Sequence, residues 1–281
     1  MAQQKSIWLS TSLFSSKGNW HNILREAIGP FTQSNSLVKG YTIKFNYLSG
    51  ENIRLSLLTD LGNEESLAKT ADKYFKNYFR KANLPDASIK LPVAGVFMPI
   101  PRNSIQYGLY APVSIDVEEQ IQYALPIKLS KIIVAALQEE IDDELILTLA
   151  FYLQISLAKT IYRFLTDVSA LFSVVTPANG FTVDDNALSN LCLMKEITIK
   201  VMQTEEFDIK LRWLNQWIDD CNNNLLAISE NEIDHISNIK ENYHLRVQTA
   251  YHHLGINRHG EDMLSYLVLK SLEEQFSVSK Q

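Results

Sequence analysis

Cysteine is scarce. There are two in 281 residues, Cys192 and Cys221, in separate helical stretches and without CxxC or Cys/His spacing. That argues against a disulfide framework or a zinc site and reads as structural thiols in a reducing compartment. A basic run is also missing. Lys and Arg (26) are outnumbered by Asp and Glu (32), the net charge is -6, and the cations are scattered, so no direct DNA or RNA partner is expected. No apolar run is long enough to read as a membrane span. The most apolar stretch, Leu145 to Leu157, is short and is followed by Lys159 and Arg163, which predicts a buried core helix. The opening residues MAQQKSIWLSTSLF hold no long apolar core and no small-residue cleavage site, so a signal peptide is not expected. GxSxG, HExxH, Walker A and a strand-turn-helix GxGxxG are all lacking, and the expectation is a cytoplasmic protein with no cofactor and no metal.

What is present starts with a hairpin. Tyr41, Ile43, Phe45 and Tyr47 alternate with Thr42, Lys44 and Asn46. Beyond Ser49-Gly50-Glu51, Ile53, Leu55 and Leu57 alternate with Asn52, Arg54 and Ser56. Period-two alternation on both sides of a glycine break predicts two antiparallel strands, each with one buried face. No Asn-Gly or Asp-Gly is present, so a longer loop joins them. Upstream, Ile7 to Phe14 reads as a strand. Trp20, Ile23, Leu24, Ala27, Ile28 and Phe31 form the apolar stripe of a helix ending near Gly29-Pro30 or just after. Downstream, Asn63, Glu64 and Glu65 open a second helix that Leu84-Pro85 stops, and Leu91 to Ile100 reads as a strand. The order β-α-β-β-α-β is the split βαβ, ferredoxin-like signature.

The fold class expected is therefore α+β: an N-terminal ferredoxin-like antiparallel sheet and a C-terminal helical region. Residues 1–115 form the α+β sandwich, and residues 116–281 form the helical region, packed on it as one unit. In that region, Val117 to Glu140 is helical with a break at Pro126, and Asp142-Asp143-Glu144 opens a long helix to about Phe172. Asn186 to Gln203, Glu206 to Ala227, Glu230 to Leu254 and a closing helix after Arg258 follow.

Few residues point to chemistry. Arg54 in mid-strand, with Ser56 on the same polar face, suits a carboxylate or phosphate, since a guanidinium is a planar fork of donors; a solvated charge is the plainer reading. His244, His252 and His253 stand close in sequence, and histidine is the side chain matched to proton transfer near neutral pH. His252 and His253, as neighbours on a helix, diverge and cannot clip a metal. Gln106-Tyr107-Gly108-Leu109-Tyr110 is a glycine-bearing aromatic loop that could line a groove or pack on the sheet edge.

Several segments, in one order along nearly the whole chain, carry a resemblance. WLSTSLF, KFNYLSGENIRLSLLTD, FMPIPRNSIQYG, LPIKLSKIIVAAL and LGINRHGEDMLSYLVLKSLEE resemble the thiopeptide-type bacteriocin biosynthesis domain. That domain is similar to the C-terminal elimination domain of class I lantibiotic dehydratases. The resemblance implies maturation of a ribosomally made precursor peptide by expelling glutamate from glutamylated Ser or Thr, which leaves a dehydroamino acid. It implies two partners, the precursor peptide and a glutamylating dehydratase, and by analogy a homodimer. Relatives with the same fold instead join two dehydroalanines into a pyridine ring by a formal cycloaddition. A third reading is a non-catalytic scaffold that binds the precursor or the dehydratase. Carried over residue by residue, Arg54 matches the first arginine of the hairpin motif and Ser56 replaces the second. Gln106 stands for the arginine before Tyr-Gly, Asn103 for an upstream glutamate, and Val247, Tyr251 and His252 for a histidine, an asparagine and an arginine. The substitutes named for the lost groups are Arg246 for charge and His252, His253 or His244 as base. The substrate-binding set implied is Arg54, Ser56, Gln106, Tyr107 and Arg246.

Overall fold

The computed structural model describes residues 5–47, 50–82, 84, 101–115, 122–165, 167–176, 185–229 and 235–278. Contacts divide the chain into two units, Met1–Asp142 and Asp143–Gln281.

The first unit is built on β1 (Ser6–Phe14), β2 (Gly40–Asn46) and β3 (Asn52–Asp60), with short β4 (Ser104–Gln106) and β5 (Val113–Ile115). The strand order is β2-β3-β1-β4, all antiparallel, with β5 also on β1. This is the order of the split βαβ fold. The expected strand at Leu91 to Ile100 lies outside the described residues.

Alternation gives the sheet two different faces. Leu13, Ile43, Phe45, Ile53 and Leu55 point to one face and are buried. Helix α1 (residues 17–34) and helix α2 (Glu64–Lys81) cover it: Trp20 stacks on Phe45 at 4.6 Å, and Phe31 meets Phe75 at 5.1 Å. Each such fully buried side chain contributes about 1.5–3 kcal/mol. The α1 helix ends just after Gly29-Pro30, at Ser34. Residues Ile23–Ile28 adopt π geometry, with the Gly29 N–H bonded to the Leu24 carbonyl, and Gly29–Ser34 continues as α-helix. Pro30 has no N–H, and the π bulge lets the hydrogen-bond ladder step past it.

On the opposite face Phe14 is buried at the hairpin end, and an apolar cluster occupies the other end. There Trp8, Leu58 and Ile115 pack with Tyr123 and Ile127. Ile127 belongs to helix α3 (Ala124–Ala136), which lies on β2 so closely that a Cβ on Gly40 would sit 3.0 Å from its Cδ1. Pro126 falls in the first turn of α3, where its missing N–H costs nothing, so it starts this helix rather than breaking one. α3 therefore groups with the sheet in the unit Met1–Asp142.

The second unit holds α4 (Asp143–Tyr162), α5 (Val168–Val175), α6 (Asp185–Gln203), α7 (Arg212–Ser229), α8 (His235–Leu254) and α9 (Arg258–Val278). α4 is apolar nearly all round and is packed by the other five helices. It is long and apolar enough to cross a membrane, yet 72% of its apolar window is buried inside the fold, as a core helix would be. The single helix expected from Asp142 to Phe172 is two, because the Asp167 carboxylate accepts the Ala170 N–H at 2.8 Å and starts α5 afresh.

Candidate functional site

The polar part of this second sheet face is the candidate site. Register places four side chains in one row across four strands. Lys44 on β2 lies opposite Arg54 on β3, Arg54 opposite Ser12 on β1, and Ser12 opposite Gln106 on β4. Neighbouring strands stand about 4.8 Å apart, so the row is a chain of adjacent contacts. The next row holds Thr42, Ser56 and Ser10, with the Ser10 and Ser56 hydroxyls 2.7 Å apart. No strand residue in either row is acidic.

Arg54 is half-buried, and its Cζ lies 3.4 Å from the centroid of the Tyr110 ring. The Tyr110 hydroxyl is in turn held by Asn46 Nδ2 at 2.9 Å. The ring covers the flat face of the guanidinium and leaves its N–H edge for an in-plane acceptor. Arg54 Nε is buried without a hydrogen-bond partner among the described residues, and so is the Oγ of Ser12, a residue that is 0% exposed. Two buried, unpartnered polar atoms in directly opposed residues are costly, about 1–3 kcal/mol each. Like charges directly opposite across strands, as at Lys44 and Arg54, add to that cost. Burial lowers the pKa of Arg54, with Tyr110 opposing the shift. Burial lowers that of Lys44, and the charge of Arg54 lowers it further.

Arg54, Ser56 and Gln106 thus share one face. Gln106 is fixed at its backbone, whose carbonyl accepts the Thr11 hydroxyl at 2.9 Å. Tyr107 is not with them: its hydroxyl bonds Asp72 of α2, and burial followed by that carboxylate raises its pKa. Tyr110, three positions on, is the aromatic residue at the row. Asn103 serves the loop. It adopts φ 50°, which asparagine tolerates, and its side chain ties the Ser15 hydroxyl (2.7 Å) to the Leu84 carbonyl (3.2 Å).

The remaining named residues belong to the helical unit. Arg246 is 3% exposed. Its Nη1 pairs with Asp220 at 3.0 Å, its Nε donates to Asn242 at 3.1 Å, and its Cζ lies 5.5 Å from the Trp217 ring. The guanidinium is thus engaged inside the bundle by Asp220, Asn242 and Trp217. Val247 is buried beside Gln154 and Tyr251. Gln154 there links the Tyr243 hydroxyl (2.7 Å) and the Tyr251 hydroxyl (2.5 Å). Along α8, His252 is exposed, His253 is buried and His244 is half-buried, so the three do not form one cluster. The pKa of His244 is lowered by burial, then by Lys240. Among the described residues no three His, Cys, Asp or Glu side chains could hold a metal.

Lys44, Ser12 and Asn46 were missed in the sequence, and Tyr110 was named only as part of the aromatic loop. The signal for Lys44 was present, since Lys44 and Arg54 are equidistant from Ser49 and a hairpin folding there sets them face to face.

No family model matches the sequence, and no curated protein does. Solved structures do match. The pyridine synthase TbtD of thiomuracin biosynthesis superposes with TM-score 0.64 at 16% identity, over 96% of this chain and 99% of that one. The chain shares the fold of that synthase. The tRNA-dependent lantibiotic dehydratase MibB of Microbispora sp. 107891 matches with TM-score 0.58 at 10% identity, over 98% of this chain but only 28% of the dehydratase. TsrL matches with TM-score 0.55 at 10% identity, over 97% and 96%. The architecture is therefore one that thiopeptide and lantibiotic proteins share, both as a separate chain and within a larger enzyme.

Proposed function

We propose that the chain matures a ribosomally made precursor peptide in the cytoplasm by eliminating glutamate from glutamylated Ser or Thr. The supporting observation is the row Lys44–Arg54–Ser12–Gln106, which holds two cations, no acidic strand residue and two buried polar atoms without a hydrogen-bond partner among the described residues. Elimination needs a cation for the departing carboxylate and for the negative charge that develops on the peptide carbonyl as the α-proton leaves. Arg54 Nε–H and the Ser12 hydroxyl offer donors to such an oxygen, and Tyr110 keeps the guanidinium edge turned to it. The base is sought among His244, His252 and His253, the histidines named from the sequence, and the partners are the precursor peptide and a glutamylating dehydratase.

A second reading, cycloaddition to a pyridine, is favoured by one observation: the chain matches the pyridine synthase end to end. In that case the same donors polarise a peptide carbonyl, and the enzyme works mainly by holding two dehydroalanines in register.

Mass spectrometry of the precursor, co-expressed with the glutamylating partner with and without this chain, tests the proposal. Glutamylated peptide without the chain and dehydrated peptide with it is the expected result. Dehydrated peptide in both, with a pyridine formed only when the chain is present, replaces elimination by cycloaddition. An unchanged peptide that still binds the chain makes it a scaffold.

A further inference from the structure

We propose that Gln106 reads the backbone of the precursor peptide, its carboxamide holding the N–H and C=O of one extended residue while Arg54 takes the carboxylate of the modified one. This rests on the precursor peptide of the proposed function as substrate, and not on which reaction follows. The carboxamide is unengaged. Gln106 is half-buried, its backbone carbonyl accepts the Thr11 hydroxyl, and its side chain has no hydrogen-bond partner among the described residues. Its register opposite Ser12 puts it on the face that carries Arg54.

A carboxamide is the group in the row that offers a donor and an acceptor on separate atoms. In an extended chain the N–H and C=O of one residue point the same way, so directly opposed residues of antiparallel strands can exchange two hydrogen bonds. Gln106 can make the same pair of bonds to one residue of a bound peptide. It is neutral, so it adds nothing to the hold on a carboxylate and leaves that to Arg54, whose planar fork suits it.

The fold fixes the distance between the two contacts. Arg54 and Gln106 stand on β3 and β4 with β1 between them, about 9–10 Å apart at the backbone, which is about three residues of extended chain. Ser12 between them is short and 0% exposed, a low floor flanked by two longer side chains. The loop after β4 ties the ends together. It leaves Gln106, turns at Gly108 with φ 77° and brings Tyr110 to 3.4 Å from the Arg54 guanidinium. The residue read by Gln106 is therefore within about three positions of the modified Ser or Thr.

The test uses the full chain and fluorescently labelled, glutamylated precursor peptides in which the backbone N–H groups near the modified residue are replaced, one at a time, by an ester oxygen. Binding is read by fluorescence anisotropy, which needs no turnover. In the wild type, one replacement within about three positions is expected to weaken binding and to raise KM about 5–10-fold while kcat holds, because the contact is the same in the ground and transition states. Gln106→Met keeps the length and loses both bonds. It is expected to bind the all-amide peptide about 5–10-fold more weakly and to be indifferent to that ester. A wild-type scan with no sensitive position overturns the proposal, whether or not the variant folds. So does a folded Gln106→Met that binds the all-amide peptide within twofold of wild type or keeps the full ester penalty. A wild type that shows the ester pattern and eliminates nothing overturns elimination and leaves Gln106 in its role; a wild type that binds no peptide overturns both.

Discussion

Two arginines show how little a residue's type says about its task. Arg54 and Arg246 both lie in regular elements with apolar neighbours. Arg246 is closed off by Asp220, Asn242 and Trp217, whereas Arg54 has one ring against its face and an Nε without a partner among the described residues. The consequences of losing each differ. Arg246→Met removes one partner of a buried ion pair, so the helical unit should lose about 3–5 kcal/mol, read as a lower urea midpoint. Arg54→Leu removes a half-buried cation that opposes Lys44. Its unfolding midpoint should stay level or rise, while turnover of the glutamylated peptide disappears; a large loss of stability would show that Arg54 is structural. Sequence reasoning could find Arg54 because strand alternation puts it on the polar face. It could not separate it from Arg246, whose partner Asp220 lies on another helix, and nothing local announces that pairing.

At the scale of elements, the strands were legible and the interruptions were not. Alternation either side of Gly50 gives β2 and β3 and their pairing directly, since a half-buried sheet enforces period two. The π bulge before Pro30, the fresh start of α5 at Asp167 and the position of Pro126 inside α3 depend on how one residue's backbone group is satisfied, and a periodicity count averages that away. The outer edge of β2 is a case in point. An open edge would invite a peptide strand, yet the Ile43 N–H is already bonded to the Ser130 hydroxyl at 3.0 Å, and that hydroxyl donates to the Pro126 carbonyl at 2.8 Å. α3 therefore blunts the edge where another chain would begin to pair. Ser130→Ala should cost about 1–3 kcal/mol by leaving the buried Ile43 N–H unsatisfied. It should also speed hydrogen exchange at the Ile43 amide selectively; unchanged exchange there would mean that β2 is protected by other means.

At the scale of the whole molecule, each unit carries its own buried polar groups, and those of the helical unit set its pH range. His244 has a folded pKa below its unfolded value, through burial first and Lys240 second. As pH falls below about 6.5 the unfolded chain takes up that proton more readily than the folded one, so stability falls toward acid and rises with pH through the window. Tyr243 and Tyr251 work in the opposite direction. Burial raises both, so the folded unit keeps their protons when the unfolded chain has lost them above about pH 10, and stability falls toward alkali. The helical unit should therefore be most stable between neutrality and mild alkali, although the sequence pI is near 5.6. Urea titrations of the full chain at acid, neutral and alkaline pH measure this dome. His244→Gln, which removes the group that charges, should flatten its acid side and leave the alkaline side unchanged. An acid limb identical in that variant would assign the acid sensitivity to groups other than His244.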